Sequence, residues 1–193
     1  MRRLEALGYE VEHCPLTEIE PLGDEPVDVD GYDWVIVTSS NGARELRRRM
    51  RGTPKRVAAI GQATAAALGG ADLVPAVATQ EGLLAELPRP AGRVLFAGAE
   101  GARRLLTDTL GAEFVPLYRT RELTPLRPPE GDLVVLASAS AARAFGRTKA
   151  SIPSVTIGPE TSAAAREAGV LVVAEAQTHD LDGLVAAVEC AAG

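Results

Sequence analysis

Short apolar runs recur along the chain: WVIV from Trp34, RVAAI from Arg56, ADLVP from Ala71, RVLF from Arg93, EFVPL from Glu113, LVVLA from Leu133, SVTI from Ser154 and VLVVA from Val170. Their apolar character is continuous rather than alternating, the pattern of strands buried on both faces, as in a parallel sheet. Between them lie stretches with apolar residues three and four apart: NGARELRRRM, QATAAALGG, QEGLLAEL, GARRLLTDTLG, SAARAFG, ETSAAAREAG and LDGLVAAVECA. That spacing predicts helices, and MRRLEALGYE at the start reads as one more, amphipathic. Strand and helix in alternation predict an α/β protein with a mostly parallel sheet.

The pattern is duplicated within the chain. AIGQATAAALGGA at 59–71 carries the same Ile-Gly-x-x-Thr turn as TIGPETSAAAREAG at 156–169. DWVIVTSSNGARELRRR from Asp33 aligns with DLVVLASASAARAFGRT from Asp132, and TQEGLLAEL from Thr79 with THDLDGLVAAV from Thr178. LGYEVEHCPLTEIEPL from Leu7 also matches LGAEFVPLYRTRELTPL from Leu110. Two lobes on one plan follow. The copies differ at one end, because the second is preceded by GRVLFAGAEGARR, a strand and its loop, whereas the first opens inside the helix. The repeat therefore leads us to expect a strand and loop equivalent to Arg93–Ala102 ahead of Met1, seated between strands at Tyr9–Cys14 and Leu133–Ala137, and two exposed sheet edges without it.

Composition narrows the class. With 46% apolar and 24% charged residues in 193, the chain has a globular composition, and no apolar run approaches the roughly 18 to 20 residues of a membrane span. No secretory pattern follows the basic start, so a cytoplasmic protein without membrane contact is expected. Cys14 and Cys190 are too few and too far apart for a disulfide framework, and neither joins His13 or His179 in a metal-ligand spacing, so no metal is expected. The net charge of −6 argues against nucleic acid as a partner. Only Lys55 and Lys149 are lysines, and the remaining positive charge is arginine, which suits planar carboxylates. The densest basic run, RELRRRMR at 44–51, reads as a solvated helix face.

Candidate chemistry sits where predicted strands end and helices begin: Thr38, Ser39, Ser40 and Asn41; Gly61 and Thr64; Ala97 and Gly98; Ser138 and Ser140; Gly158 and Thr161. Such carboxyl-end turns line the ligand crevice of a parallel α/β sheet, and their free N–H groups and helix dipole attract anions. A single turn of this kind reads as ordinary N-capping. Five in two matched lobes point to an anionic ligand. No dinucleotide loop, Gly-Lys-Ser/Thr phosphate loop, nucleophile elbow or HExxH motif occurs, and no aspartates cluster at strand ends, which also disfavours a receiver-type signalling domain. Tyr118, in the Pro-flanked VPLYRTRELTPL, can donate a hydrogen bond or a proton, but from its neighbours alone it reads as a linker tyrosine packed on a lobe surface.

Taken in order, VIVTSSNGA, VAAIGQATAAAL, VPLYRT, the Ser-x-Ser of LASASAA and IGPETSAAAREAG resemble the uroporphyrinogen-III synthase family over nearly the whole chain. The resemblance implies two flavodoxin-like lobes with parallel sheets flanked by helices, joined by two extended linker strands, with the active site between the lobes. It divides the chain into a discontinuous lobe of residues 1–16 and 125–193, a continuous lobe of 21–116, and linkers at 15–22 and 117–125; repeats alone also allow two tandem halves. The implied reaction is cyclisation of hydroxymethylbilane, a linear tetrapyrrole with eight carboxylates, with inversion of the last ring and loss of water, without a cofactor. Carried over by position, Tyr118 assists departure of the hydroxyl, and Ser39, Ser40, Gly61, Thr64, Gly98, Ser138, Gly158 and Thr161 meet the substrate. Glu160 departs from the uncharged residue commoner at its position. As partners, the resemblance implies this polycarboxylate and a transient contact with hydroxymethylbilane synthase, the chain being a monomer. A non-catalytic two-lobed module binding a tetrapyrrole or another polyanion is the alternative.

Overall fold

A computed structural model of the chain describes residues 2–192. Its elements, in order, are α1 (Arg2–Ala6), β1 (Thr17–Pro21), β2 (Val27–Asp28), β3 (Trp34–Val37), α2 (Ser40–Arg49), β4 (Met50–Arg51), β5 (Val57–Ala59), α3 (Gln62–Leu68), α4 (Gln80–Glu86), β6 (Val94–Ala99), α5 (Leu105–Leu110), β7 (Glu113–Glu122), β8 (Val134–Leu136), α6 (Ala139–Arg147), β9 (Ser154–Thr156), α7 (Pro159–Glu167), β10 (Val172–Glu175) and α8 (Leu181–Ala192). They form two compact units, one of residues 19–119 and one of residues 2–18 with 120–192.

In the 19–119 unit the strands run β1-β7-β6-β3-β5, and β7, β6, β3 and β5 pair in parallel. The chain order reverses between β3 and β6, the switch point at which α/β sheets open a crevice. Val35 and Val37 of β3 turn to one face, with Ala43 and Leu46 of α2, while Trp34 and Ile36 turn to the other, with Leu83, Leu87 and Leu106. Both faces are covered, which is why this strand reads as an unbroken apolar run. Beside the sheet, β1 and β7 form an antiparallel ribbon: Leu22 N–H donates to Leu117 O, Leu123 N–H to Leu16 O, and Glu20 faces Arg119 as Glu18 faces Arg121. Opposite charges directly across an antiparallel pair favour that register by about 0.2–1 kcal/mol each.

The second unit repeats the plan with fewer strands, β10-β9-β8, all parallel. Leu136 packs with Phe145 of α6 and Ala165 of α7 on one face, and Val155 with Leu184 and Val188 of α8 on the other. β8 is the counterpart of β3, yet it has a strand neighbour on one side only, and its Val135 is 37% exposed where the matching Ile36 is 0%. Tyr9–Cys14, expected as a strand, forms no regular element. Among the described residues no strand lies on that side of β8, so the segment has no ladder to join.

Smaller departures have local causes. Ala71–Pro75 reduces to one bridge, Leu73 with Ala58, because Pro75 cannot donate to a ladder. The helix expected from Gly101 starts only at Leu105, since Ala102 N–H turns back to Ala99 O. In the basic run Arg47 and Arg48 are solvated, but Arg49 is 9% exposed and donates to the Glu25 and Leu22 carbonyls. Its guanidinium satisfies backbone acceptors that β1 leaves behind.

The repeat is also out of register with the sequence alignment at one point. Thr79 Oγ1 accepts from Gly82 N–H, and Asp180 Oδ1 accepts from Gly183 N–H. Thr79 therefore matches Asp180 rather than Thr178. Both glycines are forced: a Cβ at Gly82 would fall 2.2 Å from the Val77 carbonyl oxygen, and one at Gly183 2.1 Å from that of Thr178. Backbone atoms cannot yield as a side-chain tip can. Gly82→Ala and Gly183→Ala should each destabilise the fold by about 1–3 kcal/mol, seen as a lower melting temperature. Gly101→Ala, where an added Cβ meets nothing within 4 Å, should melt with the parent; three equal melting curves would show that these turns are not so constrained.

Candidate functional site

Every candidate turn lies at the carboxyl end of a parallel strand, but the turns are finished in two different ways. Ser39 and Ser138 are the N-caps of α2 and α6, in nearly identical extended conformations (φ −158°, ψ 152° and φ −161°, ψ 154°). Ser39 Oγ accepts from Gly42 N–H at 3.0 Å and Ser138 Oγ from Ala141 N–H at 3.2 Å. These helices close their own ends. By contrast, α3 and α7 begin at Gly61 and Gly158, and neither has a side-chain cap. Their first N–H groups are left to other partners.

Beneath those two glycine caps stand Thr64 and Thr161, each at the third helical position and each 4% exposed. Neither hydroxyl makes a hydrogen bond among the described residues. A side chain at the third position leans back toward the helix start, where it meets whatever the N–H groups bind. Pro159 at the first position of α7 fits an end whose N–H is unused in any case. Glu160, at the second, is exposed.

Tyr118 is not a surface linker residue. It is 5% exposed, in the cluster formed by Val35, Val37, Leu46 and Leu117, and its Oη lies 2.8 Å from Ser39 Oγ. A break in register brings it there. β7 pairs Pro116 with Gly98 and Tyr118 with Ala99, so Leu117 is an extra residue, and Leu117 and Tyr118 are buried in the same cluster instead of on alternate faces. Glu100 N–H then donates to Tyr118 O at 2.8 Å and fixes the backbone. Gly42 leaves the room, since a Cβ there would stand 3.1 Å from Ser39 Oγ and 3.6 Å from Tyr118 Cε1.

In the 19–119 unit the structure thus gathers Ser39, Ser40, Gly61, Thr64, Gly98 and Tyr118 at one end of the sheet, with Ser39 and Gly98 on the two strands that flank the switch point. Gly98 is buried, and a Cβ there would lie 3.9 Å from Thr38 Oγ1. The other unit carries Ser138, Gly158 and Thr161 at the matching end of its own sheet, with Ser138 Oγ 3.1 Å from Ser140 Oγ. Sequence reading overlooked His179, whose ring packs on Gly158; the signal was its place just before the N-cap of α8, directly opposite a glycine turn. Among the described residues no three His, Cys, Asp or Glu side chains cluster to hold a metal, and no helix is long and apolar enough to cross a membrane. A surface concavity lined by Leu46, Met50, Val57, Leu68 and Asp72 lies toward the far ends of α2 and α3, and its carboxylate is taken up by the Val57 N–H.

The chain matches the family described as uroporphyrinogen-III synthase HemD over residues 1–186. A uroporphyrinogen-III synthase of Synechococcus elongatus is 30% identical over 232 aligned positions, which span 97% of this chain and 88% of that one. Among solved structures, a uroporphyrinogen-III synthetase from Helicobacter pylori superposes with a TM-score of 0.69 at 18% identity, over 91% of this chain and 90% of its own. A mutant uroporphyrinogen III synthase from Thermus thermophilus gives 0.60 at 18% identity, over 97% and 91%. At that identity the two structures speak for the shared fold.

The Ser39–Tyr118 contact has a measurable consequence for stability. Ser39→Ala removes a cap and should cost about 1–2 kcal/mol, and Tyr118→Phe, which removes one hydrogen bond, about 0.5–1.5 kcal/mol. Because both delete the same bond, the double variant should lose less than the sum in urea unfolding. Strict additivity would mean that the two hydroxyls do not interact.

Proposed function

Because the chain belongs to the uroporphyrinogen-III synthase family, we propose that it cyclises hydroxymethylbilane to uroporphyrinogen III, inverting the last pyrrole ring and releasing water. The observation that carries this reading to particular atoms is the Tyr118–Ser39 pair at the open end of a parallel sheet. Loss of the hydroxyl needs a proton on the departing oxygen and leaves a cation on the substrate. For the last ring to invert, that cation must bond to the ring's substituted α-carbon, and the existing bridge there must break and re-form at the free α-carbon. That carbon then loses its proton, so one water leaves and no electrons are gained or lost. The reaction calls for no redox cofactor.

Ser39 Oγ accepts from Gly42 N–H and lies 2.8 Å from Tyr118 Oη; with the Ser39 hydroxyl as donor in that contact, the phenolic proton is free for the leaving group. When that proton has moved, the Ser39 hydroxyl and the positive end of α2 stabilise the oxygen left behind. The rest of the work is holding. The uncapped starts of α3 and α7, with the Thr64 and Thr161 hydroxyls, receive substrate carboxylates through neutral donors. A cation held in one conformation closes to one product, whereas one free to turn closes to the isomer that forms spontaneously. Ser40, Gly98 and Ser138 complete the substrate-facing turns in this reading. The chain acts as a monomer in the cytoplasm and meets hydroxymethylbilane synthase only transiently.

The test is to supply hydroxymethylbilane and separate the product isomers. Type III product above the spontaneous background is expected, and its absence would leave a binding module. Tyr118→Phe should lower kcat by about 10²-fold, the usual scale for loss of a general acid, with KM little changed. A rate equal to the parent's would return Tyr118 to a purely packing role.

A further inference from the structure

The glycine-capped helices α3 and α7 occupy matched places in the repeat but are covered differently. A Cβ added at Gly158 would lie 2.9 Å from Cδ2 and 3.0 Å from Nε2 of His179, so the imidazole edge rests against the backbone that opens α7. At Gly61 the nearest atom to such a Cβ is the methyl of Ala78, 3.7 Å away. His179 and Ala78 stand at the same point of the repeat, one residue before the caps Asp180 and Thr79.

The turn that carries His179 is firmly built. Asp180 Oδ1 accepts from Gly183 N–H at 2.8 Å and from Thr178 Oγ1 at 3.1 Å, and the Gly183 N–H holds the Asp180 carboxyl below its ordinary range. Asp180 is thus committed to its own backbone and is not a partner for the ring. His179 is exposed and makes no hydrogen bond or ion pair among the described residues. A histidine that served only as packing would be expected in an apolar cluster; this one has a polar backbone edge as its neighbour.

A separate observation points to a ligand at the same place. Thr161 is 4% exposed, and its hydroxyl reaches the surface without a hydrogen-bond partner among the described residues, at the third position of a nine-residue helix whose side chains lean toward the helix start. The α7 ladder begins with Ser162 N–H donating to Gly158 O, which leaves the Glu160 and Thr161 N–H groups directed outward. Backbone donors, an unused hydroxyl and an imidazole nitrogen form a set that suits a carboxylate.

We propose that His179 is a substrate-binding residue, donating from Nε2 to a tetrapyrrole carboxylate seated on the start of α7 beside Thr161. The identity of that ligand rests on the function proposed above. What His179 adds is one more donor at this turn, which the matched turn at Gly61, faced by the Ala78 methyl, lacks.

The experiment is steady-state kinetics with hydroxymethylbilane on the parent, His179→Ala, His179→Gln and, as a control, His13→Ala. His179→Ala should raise KM about tenfold and leave kcat within about twofold, the signature of lost binding rather than lost chemistry. His179→Gln, which keeps an N–H donor, should recover most of the KM, and His13→Ala should match the parent. An unchanged KM in an active His179→Ala protein overturns the inference and leaves the function intact. If the parent makes no type III product, the function fails, and the inference is decided by calorimetric titration with uroporphyrin I, an octacarboxylate macrocycle. Binding about tenfold weaker in His179→Ala supports it; equal affinity, or no binding by the parent, overturns it.

Discussion

Strands β3, β5, β6, β8, β9 and β10 each release the chain toward a helix whose first N–H groups have no partner within the helix, and the candidate turns meet that need in two ways. Ser39, Ser138, Thr79 and Asp180 meet it from their own side chains. Gly61 and Gly158 do not. A family of turns that looks uniform in sequence therefore contains structural ends, already satisfied, and open ends able to take an anion. Ser39 does two things at once, because the oxygen that caps α2 also holds Tyr118.

Much of this was legible in the sequence. The continuous apolar runs identified β3, β5 and β6, which are covered on both faces and so show no polar alternation, and also β8, β9 and β10, although Val135 of β8 and Val173 of β10 are exposed. The duplicated Ile-Gly-x-x-Thr turn located both open helix ends, since glycine at the cap and threonine at the third position follow from one backbone geometry. What escaped depends on contacts distant in the chain. Tyr118 read as a surface residue because period-2 alternation fails across the Leu117 bulge, which is defined only by its pairing with β6. Arg49 read as one more solvated cation because the carbonyls it serves lie more than 20 residues away in the chain. The true register of Thr79 with Asp180 was hidden by the attraction of matching threonine to threonine. Only the carbonyl packed against Gly82 and Gly183 reveals it.

The two copies have diverged where their chemistry differs. Ala59 and Ala65 in one correspond to Thr156 and Ser162 in the other, where the two buried hydroxyls lie 2.6 Å apart and Ser162 also donates to Glu175. Gly42, which makes room for Tyr118, corresponds to Ala141 in the other copy. One unit carries the phenol and the other a buried polar chain and an imidazole. Duplication supplied a common frame, and departures from it at a few positions give each half a separate task.

The proposed use of neutral donors has a counterpart in the charge pattern. Of the eighteen arginines, several are held by carboxylates: Arg48 with Asp24 and Glu45, Arg93 with Glu113, Arg103 with Glu81, Arg119 with Glu20, Arg121 with Glu18, and Arg143 and Arg147 with Glu122. These pairs are largely exposed and each adds at most about 1 kcal/mol to stability. Their larger effect is to engage these particular guanidinium groups with carboxylates of the chain itself. Burial of Glu122 opposes its ionisation, yet Arg147 and Arg143 together still hold its carboxyl below the usual range. The donors at the glycine-capped turns themselves are backbone N–H groups, hydroxyls and, beside α7, one imidazole. Such donors bind a carboxylate by direction rather than by net charge, and a site built from them can grip several carboxylates at fixed points without collapsing onto whichever one arrives first.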